Sequence, residues 1–142
     1  MKLFVDSWGW IVLANPKDRD HRDAAVSYRR SERSGGIVTS DFVLDETFTF
    51  LFSRSPHAQA WRYCGSILES GEVKIEAINR ERFMRAFELR RRFADKPRIS
   101  FTDLTSMVLM AELEISEILT ADAHFSQVGM GFRRLPAEKS ES

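Results

Sequence analysis

Short apolar runs alternate with longer segments of helical periodicity along the chain. The runs that begin at Leu3, Ile37, Val73 and Ile118 span only a few residues each, which is typical of strands buried on both faces. Helices are predicted between them, and residues 132–135 are a candidate for a last edge strand. This alternation predicts an α/β fold in which helices cover both faces of a parallel sheet.

The segment 99–125 combines an apolar helix, a short strand and two carboxylates. Ser100 can cap the helix, and Asp103 follows it at the spacing of a capping box. The helix is apolar around nearly its whole circumference, so it is predicted to be buried. Asp122 follows the strand 118–120 at its carboxyl end, which is where open α/β sheets bind ligands.

The composition fits one globular domain without a general polyanion-binding surface. The chain has 142 residues, 43% of them apolar, and its 21 Lys and Arg residues equal its 21 Asp and Glu residues. We expect a single domain over residues 1–136 and a flexible tail over 137–142. Cys64 is the only cysteine, and we recognise no secretion signal or membrane span. We therefore expect a cytoplasmic protein with no membrane partner.

Four acids are placed where they could meet at the carboxyl edge of this sheet. Asp6 ends the first strand, Asp103 begins the apolar helix, and Asp122 follows a later strand. Taken alone, each of these three is better explained as a helix cap. Glu46 differs, because its neighbours at helical spacing are apolar, whereas Asp45 falls on a polar stripe of the same helix. A solvated position at the rim is the alternative for Glu46.

Carboxylates that converge on one place repel one another unless a cation neutralises them. Hard divalent ions such as Mg²⁺ prefer oxygen ligands, and no His and Cys spacing in the chain suits zinc. A divalent ion held in this way orients a water molecule and neutralises charge on a phosphate ester. The set therefore predicts a metal-dependent phosphodiester hydrolase, and its catalytic and metal-binding residues would be Asp6, Glu46, Asp103 and Asp122.

Four stretches of the sequence resemble PIN-domain nucleases, and most closely the VapC-type toxins of toxin–antitoxin pairs. They are FVDSWGWIVLANPKD, the helix beginning HRDAA, SDFVLDETFTFLF, and ISFTDLTSMVLMAELEISEILTADAHF. The acidic quartet of the family falls on the same four acids, and Ser7 and Thr120 fall where small hydroxyl residues often support the metal site.

This resemblance implies a three-layer α/β/α fold with a short-stranded parallel central sheet. It also implies an endoribonuclease that depends on Mg²⁺ or Mn²⁺ and is the toxin component of a toxin–antitoxin pair. The implied partners are an RNA substrate, a cognate antitoxin protein and a second copy of the chain in a homodimer. Transfer RNA, ribosomal RNA and messenger RNA all remain open as the target.

A basic segment over residues 80–98 precedes the apolar helix. It holds eight Lys and Arg residues against three acids, in a chain that is neutral as a whole. We expect it to contact the RNA backbone, because the acids alone would repel phosphate. The alternative is a solvated helix face. Aromatic residues elsewhere are expected in the core, with an antitoxin groove as the alternative: Trp8, Trp10, Phe48, Phe50, Phe52 and Trp61.

Two other functions stay open at this point. A metal-independent ribonuclease could use His124 with a second histidine as an acid–base pair, although His124 is better explained as a polar surface residue. A catalytically inactive RNA-binding or protein-interaction module on the same fold would keep the acids as caps. An aspartyl phosphatase is disfavoured, because Trp8 rather than a second acid stands two residues after Asp6.

Overall fold

The computed structural model describes residues 2–137, and short strands alternate with helices throughout. In chain order the elements are β1 (Leu3–Val5), α1 (Ser7–Ala14), α2 (His21–Glu32), β2 (Ile37–Ser40), α3 (Asp41–Arg54), α4 (His57–Glu69), β3 (Val73–Glu76), α5 (Arg80–Arg92), α6 (Phe101–Glu112), β4 (Glu117–Leu119), α7 (His124–Gln127) and β5 (Arg133–Leu135).

The five strands form one parallel sheet in the order β3-β2-β1-β4-β5. The predicted α/β fold with a short-stranded parallel sheet and flanking helices is therefore confirmed, and the candidate edge strand forms β5. Val5 of β1 pairs with Leu119 of β4. The carboxyl ends of these two adjacent strands consequently lie side by side, and both are followed by polar residues.

The helix α6 is buried in the way its apolar circumference predicts. Every residue from 103 to 110 is buried, including Asp103. Leu104 and Met107 of this helix belong to the same hydrophobic core as Phe4 of β1 and Ile118 of β4. This packing fixes the helix, and with it the acid in its first turn, relative to the two central strands.

The helix α1 approaches β4 so closely that only glycine fits at position 9. A Cβ at Gly9 would lie 2.9 Å from the backbone oxygen of Leu119. The amide of Asp6 also donates a hydrogen bond to the Leu119 carbonyl, at 3.3 Å. The start of α1 is therefore held against the end of β4.

The aromatic residues are divided between the core and the surface. Trp10 is buried, and the other predicted core aromatics are partly buried, except Trp61. The expectation was wrong for Trp61, which is 68% exposed because it lies on the outer face of α4. Cys64 is buried. None of the described helices is long and apolar enough to cross a membrane. Apart from Ala137, the predicted tail lies outside the described residues.

Candidate active site

The ends of β1 and β4 bring Asp6 and Thr120 into direct contact. The Thr120 hydroxyl donates a hydrogen bond to Oδ2 of Asp6, at 2.7 Å, and both residues are buried. Asp6 stands at the N-cap position of α1, but its side chain makes no capping hydrogen bond. Helix capping therefore does not explain Asp6. Burial raises the pKa of Asp6, whereas the Thr120 hydrogen bond lowers it.

Asp103 reaches the same place from the first turn of α6. The hydroxyl of Ser100 caps this helix by accepting a hydrogen bond from the Asp103 amide, at 3.0 Å. Asp103 is 7% exposed, and one of its carboxylate oxygens lies within 4.8 Å of one from Asp122. Burial, followed by the charge of Asp6 and the contact with Asp122, raises the pKa of Asp103 to about 9.

Asp122 lies in the turn after β4 and is held by the chain around it. Its amide donates to the Thr120 hydroxyl at 3.1 Å, and its Oδ1 accepts from the His124 amide at 2.9 Å. The Asp122 carboxylate thus does cap the start of α7, as one explanation of it required. It still belongs to the acidic site, because a carboxylate oxygen of Asp122 lies within 4.8 Å of one from Asp103.

His124 is part of this cluster, although the sequence favoured a polar surface residue. Its Nδ1 lies 3.0 Å from Oδ1 of Asp122, and its side chain is 26% exposed. One ligand atom each from Asp103, Asp122 and His124 lie within 4.8 Å of one another. The signal in the sequence was a histidine two residues after a carboxylate at a strand end, and it is weak without the turn geometry.

Glu46 lies at the rim of the cluster and is exposed, rather than set against an apolar face. Partial desolvation, followed by the charge of Asp6, raises its pKa, and a hydrogen bond with the Ser7 hydroxyl lowers it. Asp6 and Glu46 also both act on the pKa of Asp103. The structure therefore places all four acids within electrostatic range, with carboxylate oxygens of Asp103 and Asp122 within 4.8 Å of each other.

The chemistry of these donors fits a hard divalent cation. The described ion pairs join no Lys or Arg residue to any of the four acids. Carboxylates that are buried together without a cation are held in an unfavourable state, which the raised pKa of Asp103 reflects. Oxygen donors of this kind are the ligands that Mg²⁺ and Mn²⁺ prefer.

Comparison with known proteins identifies the family to which the chain is similar. The family model of the PIN domain matches residues 3–130. The chain is 31% identical over 127 residues to the 23S rRNA-specific endonuclease VapC20 of Mycobacterium tuberculosis, strains CDC 1551 / Oshkosh and ATCC 25618 / H37Rv. That alignment covers 89% of this chain and 94% of the relative.

Two solved structures have the same fold. The crystal structure of M. tuberculosis VapC20, described as a sarcin–ricin loop cleaving toxin, matches with a TM-score of 0.76 at 31% identity and covers 90% of this chain and 95% of that one. The crystal structure of VapBC2 from Rickettsia felis, bound to a DNA fragment from its promoter, matches with a TM-score of 0.71 at 15% identity over 94% and 97%. The chain therefore belongs to the PIN domain family and, within it, is an endoribonuclease of the VapC toxin type.

Proposed function

We propose that this endoribonuclease uses Mg²⁺ or Mn²⁺ held by Asp6, Glu46, Asp103 and Asp122 to hydrolyse phosphodiester bonds of 23S ribosomal RNA. The observation that carries the proposal is that carboxylate oxygens of the buried Asp103 and of Asp122 lie within 4.8 Å of each other, with the buried Asp6 close enough to raise the pKa of Asp103. No Lys or Arg is ion-paired to any of these three acids among the described residues. Such a cluster is stable in its charged form only with a cation present.

The residues of the chain would divide the work by their positions. Thr120 orients Asp6, and the Ser100 cap with the packing of α6 fixes Asp103. Glu46, being exposed, lies where the site opens to solvent and to a substrate. When bound, the divalent cation would supply charge neutralisation on the phosphate and activation of a water molecule.

The ribosomal target is proposed because the 31% identical relative is named for cleavage of 23S rRNA and of the sarcin–ricin loop. We further propose a cognate antitoxin as the inhibitor, a homodimer as the assembly and the cytoplasm as the location. The R. felis neighbour, which is described as VapBC2, supports the antitoxin as a type of partner. These assignments concern partners and place, and they do not alter the chemistry at the acids.

The direct test is cleavage of a synthetic RNA that carries the sarcin–ricin loop. We expect wild type with Mn²⁺ to cut it and EDTA to stop the reaction. Asp103→Asn should lower the rate by more than the roughly 100-fold that loss of an outer partner of a metal ligand costs. Glu46→Gln should also be impaired. Its matched control is Asp45→Asn, which removes a neighbouring exposed acid and should retain activity.

Cleavage that survives both EDTA and Asp103→Asn would refute the metal mechanism. If that residual cleavage disappeared in His124→Ala, a metal-independent acid–base mechanism would replace it. An intact fold that binds the RNA without turnover in added Mn²⁺ would indicate the inactive binding module.

A further inference from the structure

The basic segment 80–98 contains two structurally different kinds of arginine. Arg82 donates to Oε2 of Glu112 at 2.5 Å, and Arg85 donates to Glu81 at 2.7 Å and to Glu112 at 3.2 Å. These two guanidinium groups join α5 to the last residue of α6. Their N–H groups are directed to protein carboxylates, so they are not available as the main contacts of a polyanion.

Arg90 is occupied in a different way, by the backbone. It donates to the carbonyl oxygens of Phe93 and Lys96, both at 2.6 Å, and of Ile99 at 2.8 Å. A single guanidinium group thus donates hydrogen bonds to three carbonyl oxygens in the connection between α5 and α6. This folds residues 93–99 back onto the end of α5 and fixes the approach to Ser100, which caps α6.

Of the other five cations, Lys96 pairs with Asp95 at 2.9 Å, and Arg80 stands at the first residue of α5, away from the connection to α6. We call the remaining three, Arg91, Arg92 and Arg98, the basic corner. All three are exposed, and no ion pair of the described residues involves them. The Arg92 guanidinium lies over the ring of Phe93, 5.3 Å from its centroid. Arg90 binds the carbonyls of both Phe93 and Ile99. Arg92 and Arg98 directly precede these two residues in the chain, so they lie close in space.

Arg98 connects the basic corner to the acidic site along the chain. Arg98 stands two residues before Ser100, whose hydroxyl binds the amide of Asp103. The α6 N-terminus lies at the carboxyl edge of the sheet, since Asp103 interacts there with Asp6. A substrate phosphate that approaches the acids is repelled by them, and the corner supplies unpaired positive charge beside its path.

We propose that Arg91, Arg92 and Arg98 bind backbone phosphates of the RNA, while Arg82, Arg85 and Arg90 hold α5 and its connection to α6. This inference rests on the proposed ribonuclease function. It narrows the eight cations of the segment to three, and it assigns the corner to recognition of a polyanion rather than of particular bases.

The test is the salt dependence of RNA binding, measured with the sarcin–ricin RNA hairpin by fluorescence anisotropy. All proteins carry Asp103→Asn, so that binding is observed without turnover. Each lost phosphate contact should reduce the slope of log K against log salt by about 0.7–0.9. We therefore expect a reduction of about 0.7–0.9 for Arg98→Gln, and of about 2–3 for the triple change Arg91→Gln, Arg92→Gln and Arg98→Gln.

The matched control is Arg30→Gln. Arg30 is also exposed, but it lies near the end of α2, which leads into the amino end of β2 and so lies at the opposite edge of the sheet. This variant should leave the slope unchanged. Thermal unfolding of the corner variants should match that of the parent protein, whereas Arg90→Gln should lower the midpoint.

An unchanged slope and affinity in the triple variant, with its fold intact, would overturn the inference. The same slope reduction in Arg30→Gln would also overturn it, because the effect would then be one of net charge. Loss of antitoxin binding with unchanged RNA binding would assign the corner to a protein partner instead. Since the assay needs no cleavage, failure of the inference is distinguishable from failure of the ribonuclease function, which the cleavage test decides separately.

Discussion

The two ends of α6 carry acidic side chains in opposite electrostatic environments. At the first turn, burial and neighbouring acids raise the pKa of Asp103 to about 9. At the last residue, hydrogen bonds and charge from Arg82, together with the charge of Arg85, lower the pKa of Glu112. In the same helix, the charged form of Asp103 is therefore destabilised and the charged form of Glu112 is stabilised.

Helix polarity alone would give the reverse order. The N-terminus of a helix favours an anion by about 0.3–1 kcal/mol, and the C-terminus disfavours it. Burial beside Asp6 and Asp122 outweighs this at Asp103, and two arginines outweigh it at Glu112. The charged side chain at the Glu112 end therefore stabilises the fold. The charged side chain at the Asp103 end destabilises the metal-free fold and forms part of a site that a cation would complete.

The largest effect that tests this contrast between the two ends of α6 is expected in how the stability of the metal-free protein depends on pH. The folded pKa of Asp103, about 9, exceeds its ordinary value of 3.8. Its contribution is thus fully present below pH 3.8 and is lost as the pH rises through about 9. In chemical denaturation with EDTA, the stability of wild type should therefore fall between pH 5 and 9, by up to about 1.4 kcal/mol per pH unit for this single group.

The variant Asp103→Asn should flatten this profile and stabilise the metal-free protein at pH 8. Mn²⁺ should raise the stability of wild type at that pH and have little effect on the variant. Asp45→Asn serves as the control and should retain the wild-type slope. A metal-free protein whose stability increases from pH 5 to 9 would contradict the electrostatic description of this end of the helix.

A smaller effect is expected from the hydroxyl that supports Asp6. Thr120→Val keeps the shape of the side chain but removes the donor to Asp6 and the acceptor for the Asp122 amide. We expect Mn²⁺ affinity, measured by isothermal titration calorimetry, to fall about 10- to 100-fold, as is typical when a partner of a ligand is lost. Thr120→Ser keeps the hydroxyl and should bind nearly normally. Equal affinity in the two variants would show that this hydroxyl does not organise the site.

The sequence predicted those features that depend on neighbouring residues or on strand ends. The strands and the buried helix α6 follow from local apolar patterns, and they are present where expected. Asp6 and Asp122 could be placed at one edge because the carboxyl ends of parallel strands share it. The positions of the four acids along the chain suggested the set, and the resemblance to PIN-domain nucleases placed the acidic quartet of the family on the same four residues.

Features that depend on tertiary contacts were not predictable. Arg90 looked like any other cation of its segment, since its role depends on three carbonyls that the following turn brings to it. The closeness of His124 to Asp122 depends on the geometry of the turn between them. Glu46 has apolar neighbours along its helix, yet its own side chain lies on the open rim. In each case the sequence gives the residue type but not the direction of the side chain.

The smallest expected effect concerns the other end of α6. Glu112→Gln removes the charge that pairs with Arg82 and Arg85, whose contacts are partly exposed. Pairs of this kind contribute about 0.2–1 kcal/mol each, so the variant should lose about 1 kcal/mol at pH 7. The lowered pKa of Glu112 means that its contribution is present above its ordinary value of 4.5 and is lost as the pH falls through the folded value. Denaturation of the variant and of wild type should therefore give a stability difference that is smaller at pH 3 than at pH 7, opposite in sign to the trend at Asp103.

RNA cleavage by Glu112→Gln should be unchanged, because Glu112 lies at the end of α6 away from the acids. A loss of cleavage without a loss of stability would mean that the two ends of this helix are not independent.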